Sequence, residues 1–234
     1  MVHDRSTDNQ SGGFDASNPG EQTFLQRLTT AVKTGAGAFL VTVALAVGWV
    51  WSQDPTSHLA DHGFDSSGFS HLPDTNEMVL WALFQGHNVD IAVEQSVNDP
   101  EASAIIADVT VVGPGPLVVL VPLVLGVAGA YCAFDLSPSS AADAALTGAA
   151  VVLGYLPATL FSIWLAWYDP SAVTFGIEGS ADQGPALLGE DWAVGFSIYP
   201  DPRLSAVVAG ILYPVFWSGL GALIVYLLLS QFSE

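Results

Sequence analysis

LVVLVPLVLGVAGAYCAF (117–134) and AALTGAAVVLGYLPATLFSIWLAWY (144–168) contain no charged residue, and only a short polar connection around Asp135-Leu136-Ser137-Pro138-Ser139-Ser140 separates them. Each run meets or exceeds the roughly 18–20 residues a helix needs to cross a hydrocarbon core about 30 Å thick. The connection is too short for a domain, so the two helices should return antiparallel and pack as a hairpin.

Working outward, two more apolar runs flank this pair. One closes on Trp49 and Trp51 and is preceded by Arg27 and Lys33; the other ends five residues before the end of the sequence. We therefore expect a membrane all-α protein with four transmembrane helices, at about 32–52, 112–134, 142–168 and 204–229. Residues 1–26 are polar and without apolar period, and are expected to form a disordered cytoplasmic tail. Nothing in them resembles a cleaved signal peptide. Arg5, Arg27 and Lys33 all lie before the apolar run of the first span, which begins at Gly35, so the positive-inside rule places the N-terminus in the cytoplasm, and four crossings return the C-terminus to the same side.

The remaining segments, 53–111 and 169–203, should then be outer loops. They hold 16 of the 23 acidic residues, against Arg203 alone among the four Lys and Arg residues. A chain that is 51% hydrophobic with a formal net charge of -19 has the composition of proteins that stay hydrated in molar salt, where screening relieves self-repulsion. We expect a halophilic archaeal source. The same charge excludes a nucleic-acid partner. The expected partners are the lipid bilayer and an unidentified membrane protein.

Within the loops the period changes. Asp74-Thr75-Asn76-Glu77 has the form of a capping box and should open a short helix ending at Gly86, too short to span and so lying at the interface or against the bundle. Alternation with a period of two then runs through 89–94, 173–178 and 192–199, with a β-branched run at 105–111. Since three or more strands are needed for stability, both acidic loops should jointly build a small extracytoplasmic antiparallel β-sheet.

Small residues mark where helices can approach in lipid: Ala150, Gly154 and Ala158, Ala144 and Gly148, and Ala206, Gly210, Ser218 and Ala222. Pro122, Pro157 and Pro214 each free a carbonyl four residues back, at Val118, Leu153 and Gly210. All three lie near the expected midplane, where Tyr155, Pro157, Tyr213 and Pro214 could line a cavity. The alternative is that the kinks only shape the bundle.

Chemistry is sparse. The apolar runs themselves, 35–51, 117–134, 144–168 and 204–229, carry no Asp, Glu, Lys, Arg or His, which weighs against ion-coupled transport. A phosphate loop, a nucleophile elbow and an HExxH motif are all absent. The single cysteine, Cys132, excludes an internal disulfide and suits a small buried hydrophobe. His58, His62 and His71, with Asp61 and Asp65, are the metal-ligand candidates; His58 and His62 would share a face only if that Gly/Ser-rich segment were helical. His87, with Asn88 and Asp90, is expected to make structural hydrogen bonds at the helix end, the alternative being a functional polar site. No cofactor is expected.

Trp81-Ala82-Leu83-Phe84-Gln85-Gly86-His87, Leu153-Gly154-Tyr155-Leu156-Pro157 and the Tyr213-Pro214 element of the last span resemble an uncharacterised haloarchaeal four-span membrane family. The family pattern has aromatic-Asn-Ala-His where this chain has Phe84-Gln85-Gly86-His87, so His87 matches and the Asn does not. The resemblance implies architecture and no activity. The expected function is a non-enzymatic structural or accessory membrane component. Two alternatives stand beside it: a passive channel or carrier for a small neutral solute, and a metal-binding sensor in the outer loop.

Overall fold

The computed structural model describes residues 19–53, 73–96, 104–108, 113–168, 173–174 and 193–232. Four helices in it are long and apolar enough to cross a membrane: Phe24–Ser52, Leu117–Leu136, Ala141–Leu165 and Pro202–Gln231. The first belongs to a longer helix, α1 (Pro19–Ser52), so residues 19–26, expected in the tail, are its opening turns. The second span, α3 (Leu117–Leu136), begins later than expected. Gly113-Pro114-Gly115-Pro116 stands before it, and Gly115 has φ +48°. A Cβ there would lie 2.2 Å from the ring of Trp49, whose indole N–H donates to the Gly113 carbonyl at 2.8 Å. The packed indole and a left-handed glycine therefore fix where the second span starts.

The proline effects differ in place and form from simple kinks. The third span is broken into α4 (Ala141–Ala149) and α5 (Val152–Leu165). Around the break, N–H groups reach three residues back, Val151 to Gly148 at 3.0 Å and Leu153 to Ala150 at 3.0 Å. The break thus precedes Pro157 by more than a turn, and it coincides with the crossing of α1. A Cβ on Gly35 would lie 2.1 Å from the Val151 carbonyl oxygen, and one on Gly154 would lie 2.0 Å from that of Val32. Only glycine permits backbones this close. In the fourth span, Ser205–Leu212 is π-helical and leads into α6 (Tyr213–Gln231). Tyr213 N–H bonds Val208 O, five residues back. The widened turns end at Pro214, which has no N–H to offer and whose ring would crowd the Gly210 carbonyl.

The expected hairpin forms only in part. α3 meets α4 near the short connection, but the fourth span packs along both, with Gly129 and Gly148 each against the Ser218 backbone. Farther from the connection, α5 packs on α1 and on the π-helical segment. The room this leaves is taken by α2 (Thr75–Gly86), which touches α1, α3 and α5. It opens with the expected capping box, the Glu77 carboxylate accepting the Asp74 N–H at 2.5 Å. Met78, Val79, Leu80, Trp81, Ala82, Leu83 and Phe84 are all buried, which no helix lying on a surface could achieve.

After α2 the chain turns back as β1 (Ile91–Ser96), which pairs antiparallel with β2 (Ala104–Asp108) and with β4 (Ala193–Pro200); β4 also pairs with the two-residue β3 (Val173–Thr174). The order is β2-β1-β4-β3, so both long loops share one sheet, as the alternating period implied. Tyr168 and Ile198 exchange two backbone bonds, at 3.0 and 2.9 Å, fixing the sheet to the end of the third span. The expected strand residues 109–111, 175–178 and 192 fall outside the described residues. At the opposite end Arg27 pairs with Asp143 at 3.0 Å, and Tyr226, Leu229 and Ser230 border a groove with Ser137, Pro138 and Ser139. Both ends of the described chain therefore lie at the short-connection end.

Candidate functional site

The polar atoms of interest gather where α2 ends. Its last turns form a Schellman motif: Val89 N–H bonds Phe84 O at 3.0 Å and Asn88 N–H bonds Gln85 O at 2.9 Å. Asn88 sits at φ +56°, in the left-handed region that glycine or asparagine usually fills. His87 N–H bonds Phe84 O rather than the carbonyl four back, so Leu83 O lacks its ordinary helical partner. The His87 ring takes that place, with Nδ1 2.7 Å from Leu83 O.

This one contact fixes the tautomer. A carbonyl oxygen can only accept, so Nδ1 carries a hydrogen. On the other side of the ring, Nε2 lies 2.7 Å from the Tyr155 hydroxyl, which lies 3.3 Å from Thr42 Oγ1. Thr42 donates to Phe39 O at 2.7 Å. With a neutral imidazole, the Tyr155 hydrogen fills the short gap to Nε2 and the Thr42 hydrogen fills the short gap to Phe39 O. The 3.3 Å separation is then the gap without a hydrogen. Two short bonds and one long one match a neutral His87. Relative exposures are 1% for His87, 0% for Tyr155 and 0% for Thr42, so protein closes the whole row.

Tyr213 completes the surround. The His87 ring lies between two tyrosines, with centroids 5.8 Å from Tyr155 and 5.3 Å from Tyr213. The Asn88 amide donates to the Tyr213 hydroxyl. Phe39 meets the Tyr155 ring edge-on at 5.2 Å. The tip of α2 is thus tied to the third and fourth spans by side-chain hydrogen bonds, and Thr42 of the first span stands against Tyr155. A Cβ on Gly86 would lie 2.9 Å from Leu117 Cβ, so the second span is equally close. Roughly 10 Å of helix separates Thr42 from Trp49, so the site lies well inside the bundle from the sheet end.

Of the sequence candidates, Tyr155, Tyr213 and His87 come together. Pro214 is buried beside them in chain order, but Pro157 and Leu153 are exposed on the outside of the third span. His58, His62 and His71 fall outside the described residues, and among the described residues no group of three His, Cys, Asp or Glu is placed to hold a metal. Thr42, a lone hydroxyl in an apolar run, gave no pattern to find. Gln85 was also passed over, and its amide oxygen is buried without a partner among the described residues.

Four apolar spans enclosing a short buried helix define a multi-pass membrane protein of unknown function, in contact with a lipid bilayer. The chain belongs to a family of unknown function, DUF7978, whose model matches residues 15–229. No curated protein and no solved structure matches it.

Proposed function

We propose that the protein is a non-enzymatic structural or accessory component of a cell membrane, that of a halophilic archaeon, with both termini cytoplasmic and the acidic sheet outside. The observation that carries this reading is the occupancy of the buried site. Both ring nitrogens of His87 and the hydroxyls of Tyr155 and Thr42 face protein groups, so these polar atoms are engaged in holding α2 against the spans. A catalytic or transporting centre needs donors or acceptors left open to a substrate.

One observation favours the passive carrier instead: Gln85 brings an unpartnered amide oxygen to the same helix tip, in a bundle whose fourth span carries a π-helical segment of the kind often found at functional sites. Solute flux separates the two readings. Purified protein in liposomes should pass glycerol and urea no faster than protein-free vesicles. Wild-type flux that Pro157→Ala and Pro214→Ala both abolish, with the fold retained, would establish the carrier. Orientation is tested separately, with Cys132 replaced. Single cysteines at Ser67 and Ser180 should react with an impermeant reagent in intact cells, and one at Ser11 should not.

A further inference from the structure

α1 and α3 leave an open groove of about 590 Å³ between them on the lipid-facing side. Its walls are apolar, including Val41, Leu123 and Val127, and its only charged lining residue is Lys33, at the short-connection end close to Tyr131. Of the two described cations on α1, Arg27 is neutralised by Asp143, whereas Lys33 makes no ion pair among the described residues. From Lys33 to Val41 the groove follows roughly 12 Å of helix, close to the depth of one leaflet of a hydrocarbon core about 30 Å thick. Gly37 opens the middle: a Cβ there would meet nothing within 4 Å, so this glycine is not explained by helix packing.

We propose that this groove binds one molecule of an anionic phospholipid, with a hydrocarbon chain along Gly37 and its phosphate against the Lys33 ammonium. Tyr131, which lines the groove with Lys33, offers its hydroxyl as a second donor to the phosphate. Charge decides the occupant. A single ammonium with no ion-pair partner among the described residues, at the mouth of a one-leaflet apolar groove, complements a phosphate carrying an apolar tail. A second copy of this acidic chain would bring no such group to it.

Native mass spectrometry of the full chain in detergent tests this, with phosphatidylglycerol or phosphatidylcholine of equal chain length added. The wild type should retain phosphatidylglycerol in preference. Lys33→Gln should reduce its retention by about fivefold, the effect of one lysine at an anionic surface, and leave phosphatidylcholine unchanged. Gly37→Phe should fill the groove and reduce both, with an unchanged melting temperature reporting an intact fold. Lys33→Gln alters only an exposed side chain and decides the matter should Gly37→Phe fail to fold. Equal retention of the two lipids by wild type would overturn the proposal. So would lipid retention that survives Gly37→Phe, or a dimer that Gly37→Phe dissociates while lipid binding stays the same.

Discussion

Asn88 stands where a Schellman turn ordinarily carries glycine, and its amide reaches Tyr213, so backbone conformation and side-chain bonding meet at one position. Asn88→Gly keeps the left-handed turn and should change stability by no more than about 1 kcal/mol, whereas His87→Ala strips buried partners from Leu83 O and Tyr155 and should cost about 3 kcal/mol. Tyr155→Phe leaves Nε2 facing an apolar ring and should cost about 1–3 kcal/mol. Thermal unfolding in detergent measures all three; equal small effects would mean that the row does not hold α2. The glycines of α1 give a sharper contrast. Gly35→Ala forces the Val151 carbonyl aside and should destabilise by about 1–3 kcal/mol, while Gly37→Ala meets open space and should stabilise by about 0.5–1 kcal/mol.

At the scale of elements, the sheet joins segments far apart in the chain, and its register can be tested directly. Glu94 and Ser197 are Cα partners in β1 and β4. Glu94→Cys with Ser197→Cys, in a background without Cys132, should oxidise to a cross-link between the two loops. Glu94→Cys with Tyr199→Cys, two positions out of register, should do so poorly. Equal yields from both pairs would mean that the register slips. Long uncharged runs made the four spans legible, and the alternation at 89–94 and 192–199 made the sheet legible, because both signals are local. The ends of α2 were legible too, from Asp74, Glu77 and Gly86. Its position was not, because insertion between α1, α3 and α5 depends on space opened by the break at Ala150–Val151. Seven consecutive apolar residues, 78–84, were the available sign, since an interfacial helix has a polar face. The apparent lack of ionisable groups inside the spans likewise missed His87, which enters the bundle from a loop.

For the whole molecule, a net charge of -19 leads to the expectation that the fold is stabilised by salt. Thermal stability should fall as salt is lowered from molar to tenth-molar, because the Debye length grows from about 3 Å to about 10 Å and the acids repel over longer distances. A melting temperature that is flat over this range would mean that the acids are locally compensated. The central claim is that α2 is inserted among the spans, fixing the bundle at its sheet end. A scan of single cysteines from Glu77 to Phe84 in native membranes, with Cys132 replaced, measures this most directly through reaction with an impermeant thiol reagent. Glu77→Cys should react. The positions from Met78 to Phe84 should be protected on every face of the helix, and His87→Ala should raise their labelling. Full labelling that recurs every three to four residues in the wild type would place α2 on the surface and contradict the account.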